Sequence, residues 1–237
     1  MLFMVSAPVQ AQLEDDECLV ESYLGNNTPS CTAEDVRISV VTQPDIVSCM
    51  LGEEVVVDLE VTLLSGATTR YDIGIYLSQG EWDAKFGRPA DGLGCFKDFL
   101  NPPGDDAVFD ADGGPYRDRD GDACAEILQV DGDNIYYIPD FTYVCADLNE
   151  DGVADLGTCL SWDNNANTVC NDEFDAIPGT GSKCRCEILP IGNVEIEQSG
   201  FLEVRKVLNS TYGLVNLQID GVTEAANVGD GGTTGEQ

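Results

Sequence analysis

Ten cysteines constrain the fold of this 237-residue chain more than any other feature of its sequence. Their number is even and their spacing is irregular, without the paired C-x-x-C motifs of a zinc domain. Such a set is typical of a disulfide framework in an oxidising compartment. The sequence therefore predicts five disulfides, formed among Cys18, Cys31, Cys49, Cys95, Cys124, Cys145, Cys159, Cys170, Cys184 and Cys186.

The spacing of the cysteines leaves their pairing open. Bonds between Cys18 and Cys31, and between Cys159 and Cys170, would close short local loops. The nearest neighbours, Cys184 and Cys186, are one residue closer than the cysteines of the C-x-x-C redox motif. Since proteins in reducing compartments rarely contain structural disulfides, we expect a secreted protein, either extracellular or at the cell surface.

The amino-terminal residues resemble the end of a secretory signal, because a short apolar run leads to Val9-Gln10-Ala11, an A-x-A-like cleavage pattern. No basic residue precedes that run. Two interpretations stay open: an incomplete signal that is removed, or a retained apolar segment that a partner buries. No apolar stretch approaches the roughly 20 residues needed to cross a bilayer, so a membrane span is not predicted.

Charge and composition exclude several functional classes. The chain holds 44 acidic and 11 basic residues and no histidine, for a formal net charge of −33. Without histidine there is no Ser-His-Asp or Cys-His catalytic arrangement and no His-ligated metal. Nucleic acid is not a predicted partner, because phosphate recognition needs clustered Lys and Arg. Carboxylate pairs arise by chance in so acidic a chain and no nucleophile motif occurs, so the sequence predicts a protein that is not an enzyme.

Residues 35–77 carry the pattern of β-strands. Apolar residues alternate with polar ones over 36–40, 55–63 and 71–77, and Ser65-Gly66-Ala67 provides a turn before the third run. β-Branched residues with period two and short turns are typical of antiparallel sandwiches. The expected fold is therefore all-β, an immunoglobulin-like antiparallel sandwich with a long loop region stabilised by disulfides and calcium, and a partial β unit at the carboxyl end.

The long loop region is predicted over residues 79–183, where Gly, Asp, Asn and Pro crowd together. Its sharpest motif is D-L-N-E-D-G-V-A-D, which places oxygen donors at alternate positions around a glycine bend. This spacing predicts a calcium site, and the alternative is an Asx turn on the solvated surface. Position 12 of the motif is Thr158 rather than the Glu of an EF-hand. The predicted ligands are Asp147, Asn149, Asp151, Val153 (through its carbonyl) and Asp155.

A second acidic cluster precedes the first in the chain. It contains two half-loops of the D-x-D-G type with arginines interleaved, so the pattern fits either calcium or simple turns. Its candidate ligands are Asp110, Asp112, Asp118, Asp120 and Asp122. A weaker hypothesis adds the oxygens of residues 162–165 to the loop at Asp147.

The D-L-N-E-D-G-V-A-D stretch resembles the calcium loops of dockerins and thrombospondin type 3 repeats. Residues 32–186 resemble a module of large secreted bacterial surface proteins, through C-x-x-G-E from Cys49, R-Y-D-I-G-I-Y from Arg70, G-C-x-x-D from Gly94, S-W-D-N-N from Ser161 and P-G-T-G-S-K-C-R-C from Pro178. The tail from Gly200 is similar to prealbumin-like or pilin-like β repeats, through L-E-V-R-K-V and L-Q-I-D-G. These resemblances imply an extracellular structural or adhesive role.

The predicted organisation has three parts: a signal-like or strand-donating segment at 1–17, a β-sandwich with acidic loops at 18–186, and a β unit at 187–237 that a partner completes. The favoured function is a calcium-stabilised subunit of a bacterial surface fibre, a homo-polymer joined by strand exchange. Two alternatives stay open, a tandem module of a large adhesin and a carbohydrate-binding or glycoside-hydrolysing domain. The surface or host ligand is not predicted.

Overall fold

The chain divides into two units, residues 1–197 and residues 198–237. The computed structural model describes residues 16–23, 28–100, 120–129, 135–166, 169–170, 182–197, 215–219 and 222–228. Strands account for nearly all regular structure in this part of the chain, which confirms the all-β prediction. None of the helices in these ranges has the length and apolar character that crossing a membrane requires.

The described part of the first unit holds nine strands and one short helix. The elements are β1 (Asp16–Glu17), α1 (Leu19–Ser22), β2 (Val36–Cys49), β3 (Glu54–Ser65), β4 (Thr69–Ser78), β5 (Leu93–Phe99), β6 (Ile127–Leu128), β7 (Ile135–Val144), β8 (Val153–Asp163) and β9 (Lys183–Ile196). β2, β3 and β4 coincide with the three alternating runs of the sequence. The predicted turn at Ser65-Gly66-Ala67 connects the second run to the third.

These nine strands form a single mixed sheet in place of the two packed sheets of an immunoglobulin-like sandwich, which is not confirmed. The strand order is β1-β5-β4-β8-β9-β2-β3-β7, with β6 paired to β4. The pair β2–β9 is parallel and the other pairs are antiparallel. A parallel pair needs a long connection between its strands. Here that connection contains most of the remaining sheet.

The sheet curls, so that β7 comes close to β4 and β5 although it stands at the other end of the strand order. Gln79, directly after β4, joins the two: its side-chain amide donates to the carbonyl of Thr142 at 3.0 Å, and its own carbonyl accepts from the N–H of Val144 at 2.9 Å. The rings of Phe96 and Phe141 also meet edge to face at 5.9 Å. Curling gives the sheet an inner face, on which the main core gathers.

Residues 79–183 contain more regular structure than the sequence predicts. β5, β7 and β8 lie within this range, and nine consecutive residues of β8, Ala154 to Trp162, are buried. A strand buried on both faces reads as a continuous run rather than as an alternation. For this reason residues 155–162 of β8 lack the alternation of apolar and polar residues that predicted β2 and β3.

Five disulfides connect distant parts of the first unit, and the structure contains no free cysteine. The pairs are Cys18–Cys95, Cys31–Cys184, Cys49–Cys145, Cys124–Cys170 and Cys159–Cys186. The two local pairings considered from the sequence, Cys18–Cys31 and Cys159–Cys170, are therefore wrong. The physical reason is sheet order: Cys159 and Cys186 face each other across β8 and β9, and β1 brings Cys18 to β5. Five disulfides are typical of an oxidising environment.

The second unit shows two strands, β10 (Val215–Ile219) and β11 (Val222–Val228), which pair antiparallel with Ile219 opposite Val222. Residues 220 and 221, which lie between these strands in the sequence, are outside the described residues. Residues 187–197, which the sequence pattern grouped with this unit, belong to the first unit as the second half of β9. β9 begins at Lys183, so it crosses the boundary drawn at residue 186.

Candidate metal centre

The D-L-N-E-D-G motif forms the connection between β7 and β8, and Asp147 organises it. One Asp147 carboxylate oxygen accepts the N–H of Asp151 at 2.9 Å and the other accepts the N–H of Gly152 at 2.8 Å. Glu150 and Gly152 both have positive φ, 61° and 86°. For Gly152 this conformation has no steric cost, which explains the glycine at the sixth position of the motif.

Two further acidic side chains complete the loop. Asp151 accepts the N–H of Val153 at 3.0 Å. Asp155, inside β8, accepts the N–H groups of Leu148 and Asn149 at 3.0 and 3.1 Å. These bonds turn the loop back towards β8, and one carboxylate oxygen from each of Asp147, Asp151 and Asp155 lies within 4.8 Å of the others. We call these three residues the loop cluster.

The two other predicted ligands, Asn149 and Val153, lie in the same turn. The Asn149 side-chain oxygen accepts the N–H of Asp151 at 3.1 Å, and its amide nitrogen lies 3.5 Å from Asp155 Oδ1. Val153 is the first residue of β8, and its N–H is held by Asp151. The motif thus brings carboxylate oxygens of its three aspartates together. Metal binding by these residues, by Asn149 and by the Val153 carbonyl stays a prediction.

A buried tyrosine and a disulfide fix the base of this loop. The Tyr143 hydroxyl donates to the carbonyl of Asp155 at 2.6 Å and accepts the N–H of Ala146 at 2.9 Å. Cys145 is bonded to Cys49, and its carbonyl accepts the N–H of Gly52 at 2.9 Å. The start of the loop is therefore clamped to the turn between β2 and β3, and its end belongs to the buried strand β8.

The loop cluster has unfavourable electrostatics without a counterion. Asp155 is fully buried. Burial is the largest cause that raises the pKa of this carboxyl above its usual value; the charges of Asp151 and Asp147 raise it further, and the N–H groups of Asn149 and Leu148 oppose the shift. A divalent cation at the cluster would offset both the desolvation and the mutual repulsion. Its donors are all oxygens, which suit hard cations such as calcium rather than zinc.

The second predicted cluster is only partly described. Asp110, Asp112 and Asp118 lie outside the described residues. Asp120 is exposed. Asp122 accepts the N–H groups of Cys124 and Cys170 at 3.0 and 2.8 Å, so it holds together the two chain segments that the Cys124–Cys170 disulfide also joins.

Sequence reasoning missed two acidic residues that lie beside Asp122. Asp72 of β4 and Glu126, which precedes β6, each bring a carboxylate oxygen within 4.8 Å of Asp122 and of each other. Asp72 is 4% exposed and Glu126 is fully buried. No local spacing reveals this group, because the pairing of β4 with β6 creates it. The only sequence signal is a single acidic residue in each of two apolar stretches, Asp72 within β4 and Glu126 directly before β6.

The hypothesis that residues 162–165 add oxygens to the loop at Asp147 is wrong. β8 runs extended from Val153 to Asp163. Because an extended strand rises about 3.3 Å per residue, Asp163 lies about 33 Å along the strand from Val153. Asp163 instead accepts a hydrogen bond from Ser182, beside the start of β9.

Comparison with known proteins gives no family for this arrangement. No protein-family model, no curated protein and no solved structure matches the chain.

Proposed function

We propose that this chain is a secreted structural protein whose first unit is stabilised by calcium at the loop cluster. The observation that carries the proposal is the convergence of Asp147, Asp151 and Asp155 within 4.8 Å in a turn clamped by Tyr143 and the Cys49–Cys145 disulfide. Because the turn is clamped, the ligands are ordered before the ion arrives and binding costs little conformational entropy.

The backbone supports the same proposal. Five N–H groups, those of Leu148, Asn149, Asp151, Gly152 and Val153, already orient the three carboxylates. Calcium takes six to eight oxygens at about 2.3–2.6 Å. Three carboxylates, the Asn149 amide oxygen, a backbone carbonyl and water supply that number. A formal charge of −33 additionally favours a divalent counterion near the protein.

Calorimetric titration of the full chain with calcium tests this site. Asp151→Asn removes one ligand charge from an exposed position of the loop, and we expect its affinity to fall at least tenfold. Glu150→Gln is the matched control, since it removes the same charge from the neighbouring residue, whose side chain is not part of the loop cluster. Equal affinities for wild type and Asp151→Asn would overturn the calcium proposal.

For the whole chain, we propose assembly into a fibre by strand exchange between copies. In the described part of the second unit, β10 and β11 pair only with each other. A two-stranded hairpin is marginally stable alone and gains most from added strands. An added strand satisfies the backbone groups of an open edge and docks alternate side chains. Because donor and acceptor are different surfaces, the contact repeats from copy to copy and builds a filament.

Electron microscopy of the purified full chain tests assembly. We expect filaments whose growth stops when a synthetic peptide of residues 1–17 is added in excess, because the peptide occupies the acceptor edge. A peptide of the same composition in scrambled order is the control and should leave growth unchanged. A chain that stays monomeric at every calcium concentration, or filaments indifferent to the peptide, would contradict strand exchange.

A further inference from the structure

The strand β9 is the last element of the first unit and is linked by a disulfide to the amino-terminal part of the chain. It lies between β8 and β2 inside the sheet, and the chain leaves the first unit directly after it, at Glu197. Its second residue, Cys184, is bonded to Cys31, which lies close to the amino end. This disulfide spans a sequence separation of 153 residues.

Backbone hydrogen bonds reinforce the same junction. The N–H of Ala33 donates to the carbonyl of Cys184, and the N–H of Cys186 donates to the carbonyl of Cys31, both at 3.1 Å. Thr32 and Arg185 form a bridge between these bonds. The segment around Cys31 is therefore joined side by side to the beginning of β9.

We propose that the Cys31–Cys184 disulfide carries mechanical tension across the first unit, so that force applied between the two ends of the chain bypasses residues 32–183. Tension entering from the amino end crosses to β9 at Cys184 and leaves along β9 itself. β9 is already extended over 14 residues, so pulling along it adds almost no length. The loop cluster and the strands β2 to β8 lie off this route.

The other disulfides do not offer a shorter route. From the amino end to Gln237, the route through Cys31–Cys184 includes about 83 peptide steps. The next shortest passes through Cys18–Cys95, Cys124–Cys170 and Cys159–Cys186, and it includes about 108 steps. The bypass is thus specific to one of the five bonds.

The biological meaning of this device rests on the proposed fibre, in which each subunit carries load between its neighbours. The covalent route itself does not depend on the fibre, so the two are tested separately. In a fibre under tension, the bypass keeps a pulled subunit folded and its calcium site intact.

Single-molecule pulling of the full chain, with handles at its two ends, tests the route. The limiting length counts about 3.5 Å for each step that tension can straighten. We expect about 290 Å for the oxidised protein and about 830 Å after complete reduction. The limit does not depend on whether a variant folds, because the covalent route alone sets it and only the noncovalent structure along that route has to straighten.

Two double variants identify the bond that carries the load. Cys31→Ser with Cys184→Ser should lengthen the limit to about 380 Å. Cys159→Ser with Cys186→Ser, which removes the neighbouring bond of β9, should leave it at about 290 Å. Peptide mapping without reductant verifies that the remaining pairs are unchanged.

Each outcome separates the bypass from the fibre. A wild-type limit of about 380 Å, or the same limit for both double variants, would overturn the bypass even if filaments form. A chain with the short limit that never polymerises would overturn the fibre and leave the bypass standing.

Discussion

The two units of this chain differ in how each one is stabilised internally. The first unit contains all ten cysteines, paired in five disulfides, and a buried core on the inner face of a curled sheet. The second unit contains no cysteine, and its described strands form one hairpin. A strongly acidic chain can thus confine its covalent cross-links to one part and leave another part without any.

Reduction of the disulfides should give the largest difference between the units. Removing a native disulfide from a small secreted domain costs about 2–5 kcal/mol, and a domain has about 5–15 kcal/mol in total. We therefore expect complete reduction to unfold the first unit at room temperature. Hydrogen exchange should show β2–β9 losing protection while β10–β11 is unchanged. Full protection of β8 and β9 in the reduced protein would contradict this expectation.

Removal of calcium should have the next largest effect, again confined to the first unit. An ion present at 100 times its Kd stabilises the native state by about 2.7 kcal/mol. For a domain of this size, that corresponds to a fall in Tm of about 5–10 °C when a chelator is added. Asp151→Asn, with an affinity at least tenfold lower, should reduce the response by about half or more, and Glu150→Gln should keep it. A Tm that is the same in calcium and in chelator would leave the loop as an ordinary turn.

The smallest expected effect on stability comes from changing Asp35. This carboxylate accepts hydrogen bonds from Arg70 at 2.8 Å and from Lys183 at 3.3 Å. It therefore joins the beginnings of β2, β4 and β9. Its hydrogen bond to Arg70 is the largest cause that lowers the pKa of Asp35 below 3.8. The depressed pKa means that the ion pair stabilises the fold above pH 3.8 and stops doing so as pH falls through the lower, native value.

Asp35→Asn should therefore cost about 0.5–1 kcal/mol at pH 7, and nothing at a pH below the native pKa of Asp35. Urea unfolding at both pH values measures the difference. Asp45→Asn is the control, since it removes the same charge from an exposed position. A cost that is equal at both pH values would show that Asp35 acts through packing rather than charge.

Local patterns predicted the parts of this protein that depend on local physics. The alternation in β2 and β3 follows from one buried and one solvated face. The D-L-N-E-D-G-V-A-D motif folds on itself through hydrogen bonds from backbone N–H groups to its own carboxylates, all within nine residues. β8 was missed because burial on both faces removes the alternation. The group formed by Asp72, Asp122 and Glu126 was missed because only strand pairing assembles it.

The disulfide pairing is a further feature that local sequence patterns could not predict. Short loops between neighbouring cysteines are entropically easy to close, which is why Cys18–Cys31 and Cys159–Cys170 were considered while the pairing was left open. The sheet overrides this preference because it places strands distant in sequence side by side. Cys31 and Cys184 meet since the segment before β2 runs along β9. Strand order depends on the whole chain, so the spacing of neighbouring cysteines in the sequence does not predict it.

The bridge made by Gln79 has a consequence for solubility. An open edge strand is a template on which other chains aggregate, and β7 is the last strand in the order. Gln79 binds Thr142 and Val144 at one end of β7 and is itself 1% exposed. The side-chain amide and the main-chain carbonyl of Gln79 thus occupy two backbone groups of β7 that could otherwise pair with another chain. Aggregation is therefore suppressed at that end of the sheet.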